Sequence, residues 1–279
     1  APAFAATGVS ANMELDTGVQ NIKSTGAKGS YQAGRVEVNF TGRAEGNGGF
    51  IAGKASAILS KGGAASTDDA WVQLGSSAFD VKLGRFEAAD LYPTPADAAR
   101  IGGFYQTNAL RGRMGDRTHA AATFALGTGL SLELGLVDIK DTGVSGGSKG
   151  LRPVLSYASG PLSLRVGLES GKTQDGADEA NFSGAGAALG YAVDAGLSLR
   201  AAVSSGTAKF AAGDQKRSAA LLGVSAGGLN LSVESAKTGD TKYQGAFGGY
   251  TFGLFDIKGA SMTPSFGTQS TDDGTAKVT

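Results

Sequence analysis

The sequence predicts an all-β protein: one antiparallel transmembrane β-barrel of about sixteen strands over residues 1–279. Three observations carry this. Apolar and polar residues alternate along most of the chain, as in GPLSLRVGLESG (160–171), where Leu162, Leu164, Val166 and Leu168 share one face of an extended strand. Glycine is abundant, with 46 residues, which helices do not tolerate and tight turns do. No run of about twenty apolar residues is present, so a chain that spans a membrane must do so as a closed barrel.

The elements follow in order. TGVSANMEL (7–15) and GRVEVNFTGRAE (34–45) alternate over long stretches. In the second, Val36, Val38 and Phe40 lie on one face, and Arg35, Glu37, Asn39, Thr41 and Arg43 on the other. GFIAGKASAILSK follows a short GNG turn, and AWVQLGS and FDVKLGRF are separated by almost nothing. From residue 119 onward a unit repeats. One alternating run (HAAATFAL, RPVLSYAS, GAALGYAV, AALLGVSA) leads through a short Gly-containing turn to a second (SLELGLVD, LSLRVGLES, LSLRAAVSS, LNLSVESAK). Each unit ends in a polar segment, DTGVSGGSKG, KTQDGADEANFSG, GTAKFAAGDQKR or KTGDTKY, expected to form longer loops. Tight turns at one end and longer loops at the other are the plan of outer-membrane barrels. The apolar faces are mild (Ala, Leu, Val and Gly), which suits a lipid-facing wall better than an interlocked core.

One segment breaks the rhythm. EAADLYPTPADAARIGGFYQTNALRGRMG (87–115) does not alternate, carries Pro93 and Pro95, and is too apolar for disorder. PADAARIGG within it reads as a short helix, with Pro95 near its start and Gly102 after its end. A loop this long in a compact domain is usually functional.

The ordered run GRVEVNFTGRAEGNGGFIAGKASAIL, then DDAWVQLGSSAFDVKLGRFEAADLY, then this loop resembles the Gram-negative general (non-specific) outer-membrane porin family. The resemblance is strongest over 34–115 and continues as pattern to the end. It implies a homotrimeric channel in the cell outer membrane, in contact with its lipid, passing small hydrophilic solutes and ions passively. It also implies that the long loop, about 87–115, folds into the barrel as a constriction in which loop acids, here Glu87, Asp90 and Asp97, face basic wall residues. The wall candidates are Arg35, Arg43, Lys54, Lys82 and Arg117, with Arg152 and Arg165 further round; Arg111 and Arg113 either join the constriction or anchor the loop by salt bridges. Opposed charges across a narrow gap set up a transverse field that aligns water and polar solutes. Chains of the family normally end on an aromatic residue. This sequence ends GTAKVT, and one arrangement has residues 275–279 and 1–8 abutting as a composite strand. The start, APAFA, is similar to the small-residue end of a secretory signal.

Other chemistry is weakly encoded. Lys+Arg and Asp+Glu are 25 each, which gives no basic surplus for a nucleic-acid partner. Cysteine is absent, excluding disulfides, thiolate metal sites and thiol nucleophiles. His119 is the only histidine; it shares parity with Arg117 and Thr123, is expected to face the lumen, and lacks an identifiable nucleophile or orienting partner, so no enzyme is expected. No cofactor is expected. Acidic clusters give a weak calcium possibility at Asp68, Asp69, Asp175 and Asp178, without a dedicated loop spacing. A selective sugar or oligosaccharide channel is the near alternative, with Trp71, Tyr92, Phe104 and Tyr105 as stacking platforms. A non-conducting barrel or adhesin is the further one, and inward charges argue against its filled interior.

Overall fold

The computed structural model describes residues 6–23, 25–94, 107–113, 118–138, 149–175, 178–274 and 276–279; of residues 6, 173–175, 178 and 179 only the backbone is described. The strands are β1 (Ala6–Ile22), β2 (Ala27–Gly46), β3 (Gly49–Ser60), β4 (Ala65–Gly75), β5 (Phe79–Arg85), β6 (Thr118–Gly127), β7 (Leu130–Asp138), β8 (Lys149–Ser159) and β9 (Leu162–Asp175). They continue with β10 (Asp178–Ala192), β11 (Leu197–Phe210), β12 (Gly213–Ala226), β13 (Leu229–Thr238), β14 (Thr241–Tyr250), β15 (Phe252–Gly253), β16 (Ser261–Met262), β17 (Ser265–Thr271) and β18 (Lys277–Val278). Sixteen of these, all but β15 and β16, form one closed antiparallel barrel in which sequence neighbours pair. Among the described residues no helix is found; the helix expected over 95–103 lies outside them.

The alternation sorts side chains onto two surfaces. Val166 and Leu168 on β9 point outward and are exposed, while Glu169, on the opposite parity, is buried inside. The same outward parity exposes Val9, Met13, Phe40, Val72, Leu136, Val203 and Leu222 around the barrel. An unbroken belt of exposed Leu, Val and Phe is stable only against hydrocarbon, so this is a membrane-facing wall.

At one end the hairpins close over two to four residues, 47–48, 76–78, 128–129, 160–161, 193–196 and 227–228. Gly227 and Gly228 both hold positive φ (53° and 94°), the geometry that lets a two-residue turn match the strand twist. The exception at this end is 251–264, which carries the small β15–β16 hairpin. The opposite end holds the connection 86–117 and, by the rule that outer-membrane barrels keep their short turns on the periplasmic side, faces outward.

Here the structure corrects one expectation. KTQDGADEANFSG, GTAKFAAGDQKR and KTGDTKY are not loops: they are mostly the outer ends of β9 to β14, joined by residues 176–177, 211–212 and 239–240. Polar sequence at those heights marks where the strands leave the hydrocarbon, while pairing continues beyond it. The composite-strand arrangement is also corrected. β18 runs beside the outer end of β1, with Ile22 paired to Val278 and reciprocal bonds between Asn21 and Thr279, instead of prolonging the start of β1.

Candidate functional site in the barrel interior

The connection 86–117 leaves β5, folds into the barrel and returns to β6. Its outgoing limb, 86–94, follows the inner wall. Phe86 stacks flat on His119 of β6, with centroids 4.1 Å apart. The Ala89 amide donates to Glu133 of β7 at 3.1 Å. Leu91 packs over Gly167 of β9, where an added Cβ would meet it at 2.8 Å. Tyr92 is buried against Ala188, Ala202, Ala219, Leu221 and Ala236, and its hydroxyl donates to Glu234 of β13 at 3.0 Å. Eight strands further round a sixteen-stranded wall is the opposite side, so the limb spans half the circumference.

The returning limb, 107–113, is tied to the first. The Ala88 amide donates to the Arg111 carbonyl at 2.9 Å, the Leu91 amide to Asn108 Oδ1 at 3.2 Å, and Asn108 Nδ2 to Asp90 at 2.7 Å. Thr107 sits over Gly186, with its hydroxyl 3.3 Å from that of Ser204. Leu110 enters a buried cluster with Val137, Phe182 and Ala208.

Beneath this limb lies a buried ion pair. Arg152 Nε donates to Glu169 at 2.9 Å and to the Thr107 carbonyl at 3.1 Å; Nη2 donates to Asn108 Oδ1 at 2.9 Å. Glu169 also accepts the Leu110 amide at 3.0 Å. The Arg152 side chain is 1 % exposed. Two charges taken out of water are held only where such a set of partners meets them, so the pair fastens the loop to β8 and β9. Arg152 is therefore not a free basic wall group, which corrects its expected place.

The other expected residues are placed as follows. Arg111 pairs with Glu87 at 3.0 Å and Asp90 at 3.6 Å, so both described loop acids are met by the loop's own arginines. Arg113 joins Glu87 at 3.2 Å and reaches Asp68 and Asp69 of β4, each at 3.0 Å. A register shift between β3 and β4 at Ala55/Ala57 turns both adjacent aspartates into buried positions, as bulges do. Lys54 pairs with Asp69 at 2.7 Å. Asp68 and Asp69, the weak calcium candidates, thus meet cationic side chains. Asp175 and Asp178 pair across the β9–β10 turn by backbone, and their side chains are outside the described residues. Arg35 pairs with Glu14 at 2.9 Å, and Arg43 with Glu45 at 2.9 Å while lying over Phe50. Lys82 lies over Trp71, 4.6 Å from the ring centroid. Arg165 is exposed on the inner face of β9. Asp97, Arg117, Phe104 and Tyr105 lie outside the described residues.

Among the described residues Glu87 and Asp90 are thus paired with the loop's own arginines, and Arg35, Arg43, Lys54 and Arg152 with acids of the wall, while Lys82 lies over a ring and Arg165 is exposed. Sequence reasoning missed Glu133, Asn108 and Thr107 as loop fasteners, Glu169 and Glu234 as partners of loop groups, and the wall of Gly167, Gly186, Ala188, Ala202 and Ala219 on which the loop lies. The one legible signal was that inward positions of β9 to β13 are unusually small.

No protein-family model and no curated protein sequence matches the chain. Solved structures do. An anion-selective porin from Comamonas acidovorans has a TM-score of 0.69 at 18% identity, covering 95% of this chain and 90% of that one. A loop-deletion form of OmpT, an outer membrane protein of Vibrio cholerae, gives 0.77 at 10% identity, covering 98% and 96%. A mutant of the Rh. blastica porin gives 0.64 at 16% identity, covering 97% and 96%.

Proposed function

We propose that this barrel, which has the porin fold, is an outer-membrane porin forming a water-filled channel for passive diffusion of small polar solutes and ions. One observation carries the reading: inward-facing charges remain accessible on strands that the described part of the loop does not touch. Arg35 and Glu14, on the inner faces of β2 and β1, are 47% and 61% exposed. The described loop contacts fall on β4 to β13, and none of them falls on β1 to β3. A structural barrel would fill its interior, because an unpaired charge enclosed there is costly. Inward charges of both signs favour weak ion selectivity. Assembly as a homotrimer follows from the resemblance of residues 34–115 to general porins.

The test is single-channel recording in a planar bilayer. Stepwise ohmic conductance is expected, in groups of three if the trimer holds. Reversal potentials in a salt gradient should shift toward anions on neutralising Glu87 and Asp90, because Arg111 and Arg113 then lose their partners. Silence from a barrel that shows normal heat-modifiable migration refutes an open channel.

A further inference from the structure

Apart from Lys54 and Lys82, which face the interior, the described strand lysines and the arginines of this barrel occupy different surfaces. Described strand arginines face the interior or the loop, whereas Lys149, Lys172, Lys209, Lys216, Lys237 and Lys242 share the outward parity of the apolar belt, at its outer end. At the short-turn end no outward strand residue among those described is charged.

On β7 to β12 the register places Asp138, Lys149, Lys172, Asn181, Lys209 and Asp214 side by side in one row. The row next nearer the membrane centre is Leu136, Leu151, Ser170, Ser183 and Thr207, continued on β12 by Lys216. Two residues further, outward positions are Leu134, Leu168 and Ala185. Successive outward rows lie roughly 6–7 Å apart along a strand. On β8 to β10 the wall thus grades from cations through hydroxyls to hydrocarbon contact within a few rows. Residues of the first two rows on β7 to β11 line a concavity of about 650 Å³. Lys149 and Asp138 are held only loosely, at 3.9 Å.

We propose that this concavity binds the phosphorylated headgroup of an outer-leaflet lipid. The phosphate sits against Lys149, Lys172 and Lys209, the hydroxyls of Ser170, Ser183 and Thr207 meet the polar linkage below it, and the acyl chains descend over Leu136 and Leu151. A soluble anion would not require the row of cations to stand directly above an apolar face, and the site opens toward lipid, not the channel. Lysine suits this place, as a flexible point charge worth about 1 kcal/mol near an anionic surface. The inference rests on the outer-membrane placement of the barrel and not on conduction.

The test uses the whole protein, delipidated in detergent, with lipid A (a bis-phosphorylated diglucosamine lipid) as probe and native mass spectrometry as readout. Three lysines contributing as above predict that Lys149→Gln/Lys172→Gln/Lys209→Gln binds on the order of a hundredfold more weakly. Lys28→Gln/Lys277→Gln, on the other side of the barrel, should bind as the parent does. Dephosphorylated lipid A should bind both proteins equally and weakly, and inorganic phosphate should not displace lipid A. Equal binding of lipid A by the parent and the triple variant overturns the proposal. So does full binding of the dephosphorylated lipid, and displacement by inorganic phosphate would reassign the site to a soluble anion. Unchanged conductance of the triple variant keeps this outcome separate from the channel reading.

Discussion

Replacing Arg152 with Gln should release the loop. The guanidinium supplies three described hydrogen bonds, to Glu169, to the Thr107 carbonyl and to Asn108. Its loss leaves the Glu169 carboxylate buried with the Leu110 amide as its main described donor. Breaking a buried pair by removing one partner costs about 3–5 kcal/mol. That is on the order of a hundred- to a few-thousandfold in the docked-to-undocked ratio, at about 1.4 kcal/mol per tenfold. The glutamine fits the wall, so the cost falls on loop docking and not on strand pairing. In single-channel recordings the parent should conduct steadily, while Arg152→Gln should flicker between levels. Arg152→Lys should be intermediate, since it keeps the charge without the planar fork. The chain has no cysteine, so Thr107→Cys/Ser204→Cys can be added without competing thiols; oxidation should quiet the flicker and reduction restore it. If Arg152→Gln shows the parent's amplitude, noise and resistance to heat, the buried pair does not hold the loop and the reasoning fails.

Other consequences are separable. Tyr92→Phe removes the bond to Glu234 and should weaken docking of the loop tip by about 1–3 kcal/mol, read as faster proteolysis within 95–106 with the barrel intact. Gly186→Val brings a side chain into Thr107, which an added Cβ would meet at 2.8 Å; it should displace the loop and raise noise, whereas the outward Ala187→Val on the same strand should not. Asp69→Asn removes a shared acceptor of Lys54 and Arg113; the reversal potential in a salt gradient should move toward anions, and an unchanged value would mean that these groups lie off the ion path.

The alternation of 160–171 already decided that Leu162, Leu164, Val166 and Leu168 share a surface, and the missing apolar helix left only a barrel to span a membrane. Both follow from local geometry, because side chains alternate with period two whatever the strand pairs with. The short turns at 47–48 and 227–228 were legible for the same reason. The outer ends of β9 to β14 were not: their polar composition is shared by loops and by strands that rise out of hydrocarbon, and only cross-strand pairing separates the two. Arg152 and Arg165 illustrate the remaining limit. Both have inward parity, in adjacent strands, and nothing near either in sequence distinguishes them. The folded loop does, by bringing Thr107 and Asn108 onto one and leaving the other exposed. Parity is a property of a strand, whereas burial inside a barrel depends on what a distant segment covers, and that is decided only when the chain closes around it.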